Sequence, residues 1–456
     1  MAPNRSQPWN PHRSWADPLI TCLLLGILVL AGFPSRRRVL APRPAQARVS
    51  FQGRVLDAAL GAAKDPALTA LVRGWQPDRT LAALAPGRRT PWDQAVLAVH
   101  AAEAGNPAVG ATLIRAAPGP EGEAFRQAWT WCYQGQGGPP PPSALPGLRA
   151  ALGDGYAARV LEARLRARAG GDPGPLLAQA RAWALAKVAI WSAAGAAAAL
   201  LALAGLAFAL YLGARSLPPR PLPRYGMSGR AVLIVLLGWF FALLAAPVLV
   251  GLVVRALPFL RPLLLPLVYG CHALAGVWLL CRAEGIGPAD LVRRVAPGRH
   301  GAALATGLGF FALAFTGVIT VALVLGPLLS HGEPPQKELL EFLARFQGTW
   351  TVAVLFLTVA VLAPAFEELM FRGFLLPWLG ERLTPRLGER SARLAAVGLS
   401  GLGFGLMHMQ PLGLPTLTTL GIILGLAFLR TGNLVTSILV HGLWNGGVFI
   451  LLRTVF

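Results

Sequence analysis

Two adjacent glutamates, Glu367 and Glu368, lie inside one of the most apolar stretches of the chain, TVAVLFLTVAVLAPAFEELMFRGFLLPWL (Thr351–Leu379). Of the nine acidic residues after Ser228, only these two fall within a predicted span. A charge at bilayer depth costs on the order of a few kcal/mol, so it points by default to function. The same C-terminal region sets Arg372, His408 and His441 in apolar helices. A carboxylate, a guanidinium and two imidazoles in lipid are the groups of a hydrolytic site.

Helix geometry sorts the acidic pair. At about 100° per residue, Glu368 and Arg372 share a face and neutralise each other as a structural ion pair. Glu367 points about 100° away and is left as the free carboxylate, a candidate general base or acid. Pro364 cannot donate its backbone bond, so a kink and a freed carbonyl are expected beside the site. The competing account is a packing network of the three charges with no chemistry.

His408 follows Phe404 by four residues, and His441 precedes Asn445 by four, so each pair shares a helix face. A lone histidine or asparagine in a membrane more often bonds a neighbouring helix, and His272 in the fourth span is read that way. Depth lifts the other two. At 1.5 Å per residue, Glu367 lies ~18 Å and His408 ~21 Å from the cytoplasmic ends of their spans, with His441 and Asn445 at ~10 and ~16 Å. Three helices thus bring polar groups towards one layer. Glycines at 398, 401, 403, 405, 421 and 425 permit the close approach this needs.

Hydrolysis at a carbonyl requires a base for water and a donor where charge develops on the carbonyl oxygen. No serine or cysteine sits in a comparable setting, so attack by water is favoured over an acyl-enzyme. The metal question stays open on residues alone. Glu367, Glu368, His408 and His441 are candidate ligands, and two histidines with one carboxylate suit Zn²⁺ or another divalent ion. With Glu368 held by Arg372 and Asn445 as a donor, a metal-free mechanism fits as well.

Glu367-Glu368-x-x-x-Arg372, Phe404-x-x-x-His408 and His441-x-x-x-Asn445, in that order, resemble the CAAX prenyl protease and bacteriocin-processing (Abi) family of intramembrane endopeptidases. Phe371-Arg372-Gly373 and Arg430-Thr431-Gly432-Asn433 are similar to that family too, and the likeness covers roughly Arg299–Arg453. The resemblance implies a helical intramembrane endopeptidase core, glutamate- or metal-dependent. It implies Glu367 and His408 as the pair that activates water, and His441 and Asn445 as the oxyanion donors.

The elements that must position these groups read as all-α. Hydrophobic residues make up 55% of the chain against 13% charged, which indicates a polytopic membrane protein with a soluble portion. Nine spans are predicted near 18–34, 184–213, 231–254, 262–281, 301–330, 351–379, 394–410, 411–429 and 434–452. The domain division is a membrane anchor (1–34), a soluble α-helical module (35–183), accessory spans (184–298) and the protease-like core (299–456). Within the module, Trp92–Ala104, Gly105-Asn106-Pro107 and Ala108–Ala117 read as a helical hairpin of the tetratricopeptide kind, without a fixed repeat. GGPPPP (Gly137–Pro142) reads as a stiff linker.

The net charge of +21 rests largely on basic loops between spans. Lipid headgroups and topology explain it better than nucleic acid, for which no motif is present. The loops around Arg215–Arg230, Arg282–Arg299 and Arg382–Arg393 are cytoplasmic together, which puts the module outside the cytoplasm, although Arg36, Arg37 and Arg38 argue the other way. Cys22, Cys132, Cys271 and Cys281 form no disulfide framework. Membrane lipid, a peptide or membrane-protein substrate and a protein partner on residues 49–183 are the expected partners. The rival class is a non-catalytic scaffold or immunity-type protein. A transporter is weaker, since no repeat of spans is apparent.

Overall fold

Apolar segments in lipid can satisfy their backbone N–H and C=O groups only internally, and without closure into a barrel they do so as helices. The computed structural model describes residues 51–65, 90–153, 155–214, 221–298, 300–329 and 348–455, and among these no strand occurs. The fold is all-α, and the protein is an integral, multi-pass membrane protein. The anchor expected at 18–34 and the arginines that follow it lie outside the described residues.

Six short helices come first: α1 (Phe51–Ala62), α2 (Pro91–Glu103), α3 (Pro107–Leu113), α4 (Gly119–Trp129), α5 (Leu145–Leu152) and α6 (Tyr156–Arg168). Then follow α7 (Gly174–Ala214), α8 (Gly229–Ala256), α9 (Leu264–Glu284), α10 (Pro288–Val295) and α11 (His300–Leu329). The C-terminal helices are α12 (Thr349–Leu387), α13 (Glu389–Met407), α14 (Leu414–Thr431) and α15 (Leu434–Val455).

Seven helices among the described residues are long and apolar enough to cross a membrane: α7, α8, α9, α11, α12, α14 and α15. The stretch expected as a span at 394–410 is not among them. Its helix, α13, stops at Met407 and is diluted by Glu389, Arg390 and Arg393 at one end and by repeated glycine towards the other. His408 is therefore the residue that caps α13, at a turn, and not a mid-helix residue.

The described residues fall into two compact units. The first gathers those of Leu200–Pro335 and Gln347–Phe449 around a core that includes Phe310, Phe374, Phe404, Leu424 and Phe428. Its large exposed side chains, such as Phe241, Trp278 and Leu323, are apolar, as lipid-facing positions require. At the crossing of α13 and α14, a Cβ added to Gly401 would stand 2.8 Å from the Ile422 nitrogen, and one added to Gly421 2.7 Å from the Gly401 oxygen. Only glycine permits that approach, which brings α13 with His408 against the bundle.

The second unit gathers the described residues of Pro42–Ala199 and Ile450–Phe456. A capping box starts α2, with the Thr90 hydroxyl accepting from the Asp93 N–H and the Asp93 carboxylate from the Thr90 N–H. The expected hairpin is formed by α2 and α3, with a 3₁₀ turn at Ile114–Ala116. Trp92, Phe125, Trp129, Tyr156 and Leu161 fill its core.

Candidate active site

Helix α12 is not a regular α-helix. It is α-helical over Thr349–Leu357, Ala363–Glu368 and Leu376–Leu387, and π-helical over Thr358–Leu362 and Leu369–Leu375. π-bulges often mark functional sites. Here they bracket the two glutamates, and prolines explain the first. The Ala363 N–H reaches back five residues to Thr358, and the next donor in that register would be residue 364, a proline. The Val359 carbonyl is left over, as the sequence foretold for this turn, and Asn445 Nδ2 donates to it at 3.0 Å.

Glu368 and Arg372 are both fully buried and form the expected pair, Arg372 Nη1 donating to Glu368 Oε1 at 2.9 Å. The pair is not self-contained. Arg372 Nη2 donates to the Gly421 carbonyl at 2.8 Å, and the guanidinium lies 4.6 Å from the centre of the Phe404 ring. His441 Nδ1 stands 2.9 Å from the same Glu368 oxygen. Beside a carboxylate that nitrogen carries a proton, and Nε2 is turned away from Glu368.

His441 Nε2 faces Glu367. His441 Nε2 is 3.9 Å and His408 Nε2 4.0 Å from Glu367 Oε2, a buried oxygen without a hydrogen-bond partner among the described residues. His408 is oriented in the same manner, its Nδ1 donating to the Phe404 carbonyl at 2.8 Å. The Phe404 ring packs between the histidines, its centre 4.7 Å from that of His408 and 5.4 Å from that of His441. The Glu367 side chain keeps 16% exposure where Glu368 has none, so only the first can be reached. Gly442 completes the approach of α15, since a Cβ there would stand 2.6 Å from the Ala360 oxygen.

Residues 349–447 match the family model of the type II CAAX prenyl endopeptidase Rce1-like proteins. The chain carries an Rce1-like domain. The domain spans α12 to most of α15 and contains every candidate site residue, in agreement with the resemblance carried by the three motifs. No curated protein and no solved structure matches the chain.

The Rce1-like domain gathers Glu367, His408 and His441 at one point, while Asn445 lies one helical turn beyond His441 with its amide on Val359. The four candidate ligands do not form a metal cage. Two ligands of a tetrahedral Zn²⁺ stand roughly 3.4 Å apart, closer than the 3.9 and 4.0 Å found here, and Glu368 is committed to Arg372 and His441. Among the described residues no cluster of three or more histidine, cysteine, aspartate or glutamate side chains is arranged to hold a metal ion. His272, set aside from sequence, is buried with its Nδ1 on the Val268 carbonyl at 3.3 Å and its ring beside Trp239. Sequence reasoning missed the Glu368–His441 bond, for which 73 intervening positions offer no spacing signal. It also missed the Phe404 ring as a packing hub, although the four-residue interval from Phe404 to His408 contained that signal.

Proposed function

We propose that the protein is an intramembrane endopeptidase in which Glu367 and His408 activate water for attack on a peptide carbonyl near the membrane, on a CAAX-type or other membrane-protein substrate. The observation that carries this reading is the unpartnered Glu367 oxygen held 4.0 Å from His408 Nε2. Two acceptors that far apart both lie within hydrogen-bond reach, about 2.8 Å, of one water oxygen. Glu367 takes a proton as the water oxygen bonds to the carbonyl carbon. It returns that proton to the leaving nitrogen as the C–N bond breaks. His441 Nε2 and the second Nδ2 hydrogen of Asn445 are the donors for the carbonyl oxygen as it becomes negative. For that role the His441 Nδ1–H keeps its bond to Glu368 Oε1, which holds the ring with Nε2 towards the site.

The test is cleavage of a farnesylated CAAX peptide by the full chain in liposomes. Wild type cleaves and Glu367→Gln does not; equal cleavage by the two ends the proposal. The same reading sets the basic ends of α9 and α12 in the cytoplasm and residues 49–183 outside it. Cys132 is a poor reporter of that orientation, because burial pushes its thiol up to about 12. A protease-cleavable tag at Gly137, exposed with open space around it, reports instead. Protection of the tag in intact cells reverses the orientation.

A further inference from the structure

Two prolines bracket the acidic motif in α12, and each deprives the helix of an N–H. The first, Pro364, leaves the Val359 carbonyl to Asn445. The second, Pro377, follows the second π-bulge; the Leu376 N–H reaches back five residues to Phe371, so in that register the proline leaves the Arg372 carbonyl without an N–H, one residue before Gly373. The Tyr225 hydroxyl donates to the Gly373 carbonyl at 2.6 Å, in a buried setting. Gly373 is the residue after Arg372. We propose that Tyr225 is a positioning residue of the active site, tethering by its hydroxyl the π-helical turn that aims Glu367, Glu368 and Arg372. The proposal rests on the protease reading for what is positioned.

Tyr225 lies outside the Rce1-like match, in the segment Pro221–Ser228 that precedes α8. That segment has no regular secondary structure, yet it is laced to the end of α12. The Tyr225 N–H donates to Glu381 Oε2 at 3.2 Å, and Trp378 Nε1 and Arg382 Nη2 both donate to the Met227 carbonyl, at 3.1 and 2.9 Å. From the opposite flank, Arg294 bonds the Arg224 carbonyl and Glu284, and its guanidinium lies 5.4 Å from the centre of the Tyr225 ring. Phe374 meets that ring edge-on at 5.4 Å. The ring is thus fixed from several directions, and a fixed ring delivers its hydroxyl to one place. Burial pushes the phenol well above its ordinary range, so the group remains a proton donor at any working pH.

Tyr225→Phe removes the hydroxyl and keeps the ring packing. On a farnesylated CAAX peptide in liposomes, kcat is expected to fall on the order of tenfold with KM within about twofold, the mark of lost alignment and not lost binding. Amide exchange in peptides covering 363–380 is expected to quicken in the same protein. Unchanged kcat or unchanged exchange in Tyr225→Phe overturns the tether. Glu367→Gln in the same assay tests the protease reading separately. If that reading fails, exchange still shows whether the hydroxyl holds the turn, but the positioning role falls with it.

Discussion

Among the described residues, carboxylates meet imidazoles in both units, and Asp57 in one and Glu367 in the other are built to opposite ends. In the helical module, Asp57 Oδ1 lies 2.8 Å from His100 Nε2 and also accepts the Ala157 N–H at 2.9 Å, with both side chains almost fully buried. In the membrane bundle, Glu367 Oε2 stands about 4 Å from two imidazoles and bonds neither, on a side chain that keeps 16% exposure. Glu368 is intermediate: its Oε1 takes both Arg372 and His441, while its Oε2 is fully buried without a hydrogen-bond partner among the described residues. A carboxylate whose acceptor sites are filled must break bonds before it can take a proton. An unfilled one need not, and it retains an acceptor that is costly to bury and useful to a reaction. Residue type does not separate structure from chemistry here; hydrogen bonding together with side-chain access does, since Glu367 keeps 16% exposure and Glu368 none.

The sharpest way to break that comparison is to neutralise both carboxylates. Glu367→Gln should lower cleavage by about 10²–10⁴-fold while leaving the melting temperature of the bundle nearly unchanged, because it removes a base and no bond. Asp57→Asn should do the reverse. It weakens the bond to His100, lowers stability of the module by roughly 1–3 kcal/mol and leaves the chemical step alone. Turnover and hydrogen exchange measured on the same two proteins check both halves. Module exchange that is as slow in Asp57→Asn as in wild type would remove the structural half of the contrast.

Glu368 tests the intermediate case. Glu368→Gln strands Arg372 as a buried cation, at a cost of roughly 3–5 kcal/mol. Adding Arg372→Met should recover thermal stability in detergent, since the charge and its partner leave together. Turnover should stay low in that double variant, because His441 has lost the oxygen that orients it. Recovery of both would make the pair a packing feature with no bearing on the site.

Asn445 comes next, because its amide has two uses. Asn445→Ala should lower turnover about 10²–10³-fold if it supplies an oxyanion donor. It also uncaps the Val359 carbonyl, a defect that Pro364→Ala can repair by returning an N–H to the helix. The double variant Asn445→Ala with Pro364→Ala is expected to regain stability and remain slow. A return to wild-type turnover would reduce Asn445 to a cap.

These variants also mark what the sequence could and could not convey. The Glu368–Arg372 pair was legible because it depends on an interval of four along one helix. Pro364 announced an orphaned carbonyl because proline lacks a donor wherever it stands. The partners of those groups were not legible. Asn445 reaches Val359 across 86 positions and Tyr225 reaches Gly373 across 148, distances over which only packing decides. The two π-bulges altered the assumed 100° per residue, and the polar, glycine-rich face of α13 shortened what hydropathy suggested was a span. His408 consequently falls at a helix end, where a turn and not a mid-membrane position presents it.

The smallest expected effect lies in the module and concerns a third way to bury a charge. The Lys64 amine is held 5.6 Å from the centre of the Tyr156 ring. The nearby Glu103 carboxylate is already taken by Arg164 and the Tyr133 hydroxyl. Burial therefore prevails over the attraction of Glu103 and Asp57, pushing Lys64 down from 10.5 to about 8. With the folded value below the unfolded one, the unfolded chain binds more protons between those limits, so stability rises with pH there and the cost of charging the amine is complete below pH 8. Cys132 and Tyr156 act in the opposite sense, because burial pushes each up to about 12 and their contribution is lost as pH climbs from 9 and 10. The Lys64 signal should thus stand clear between pH 8 and 9, as a smaller opening constant in α2 and α6 of the full chain once the base-catalysed rise of intrinsic amide exchange is divided out. Lys64→Met should abolish that rise and raise the module's melting temperature at pH 7 by about 2 °C. A rise of the same size in Lys64→Met would assign it to another group and leave Lys64 outside the contrast.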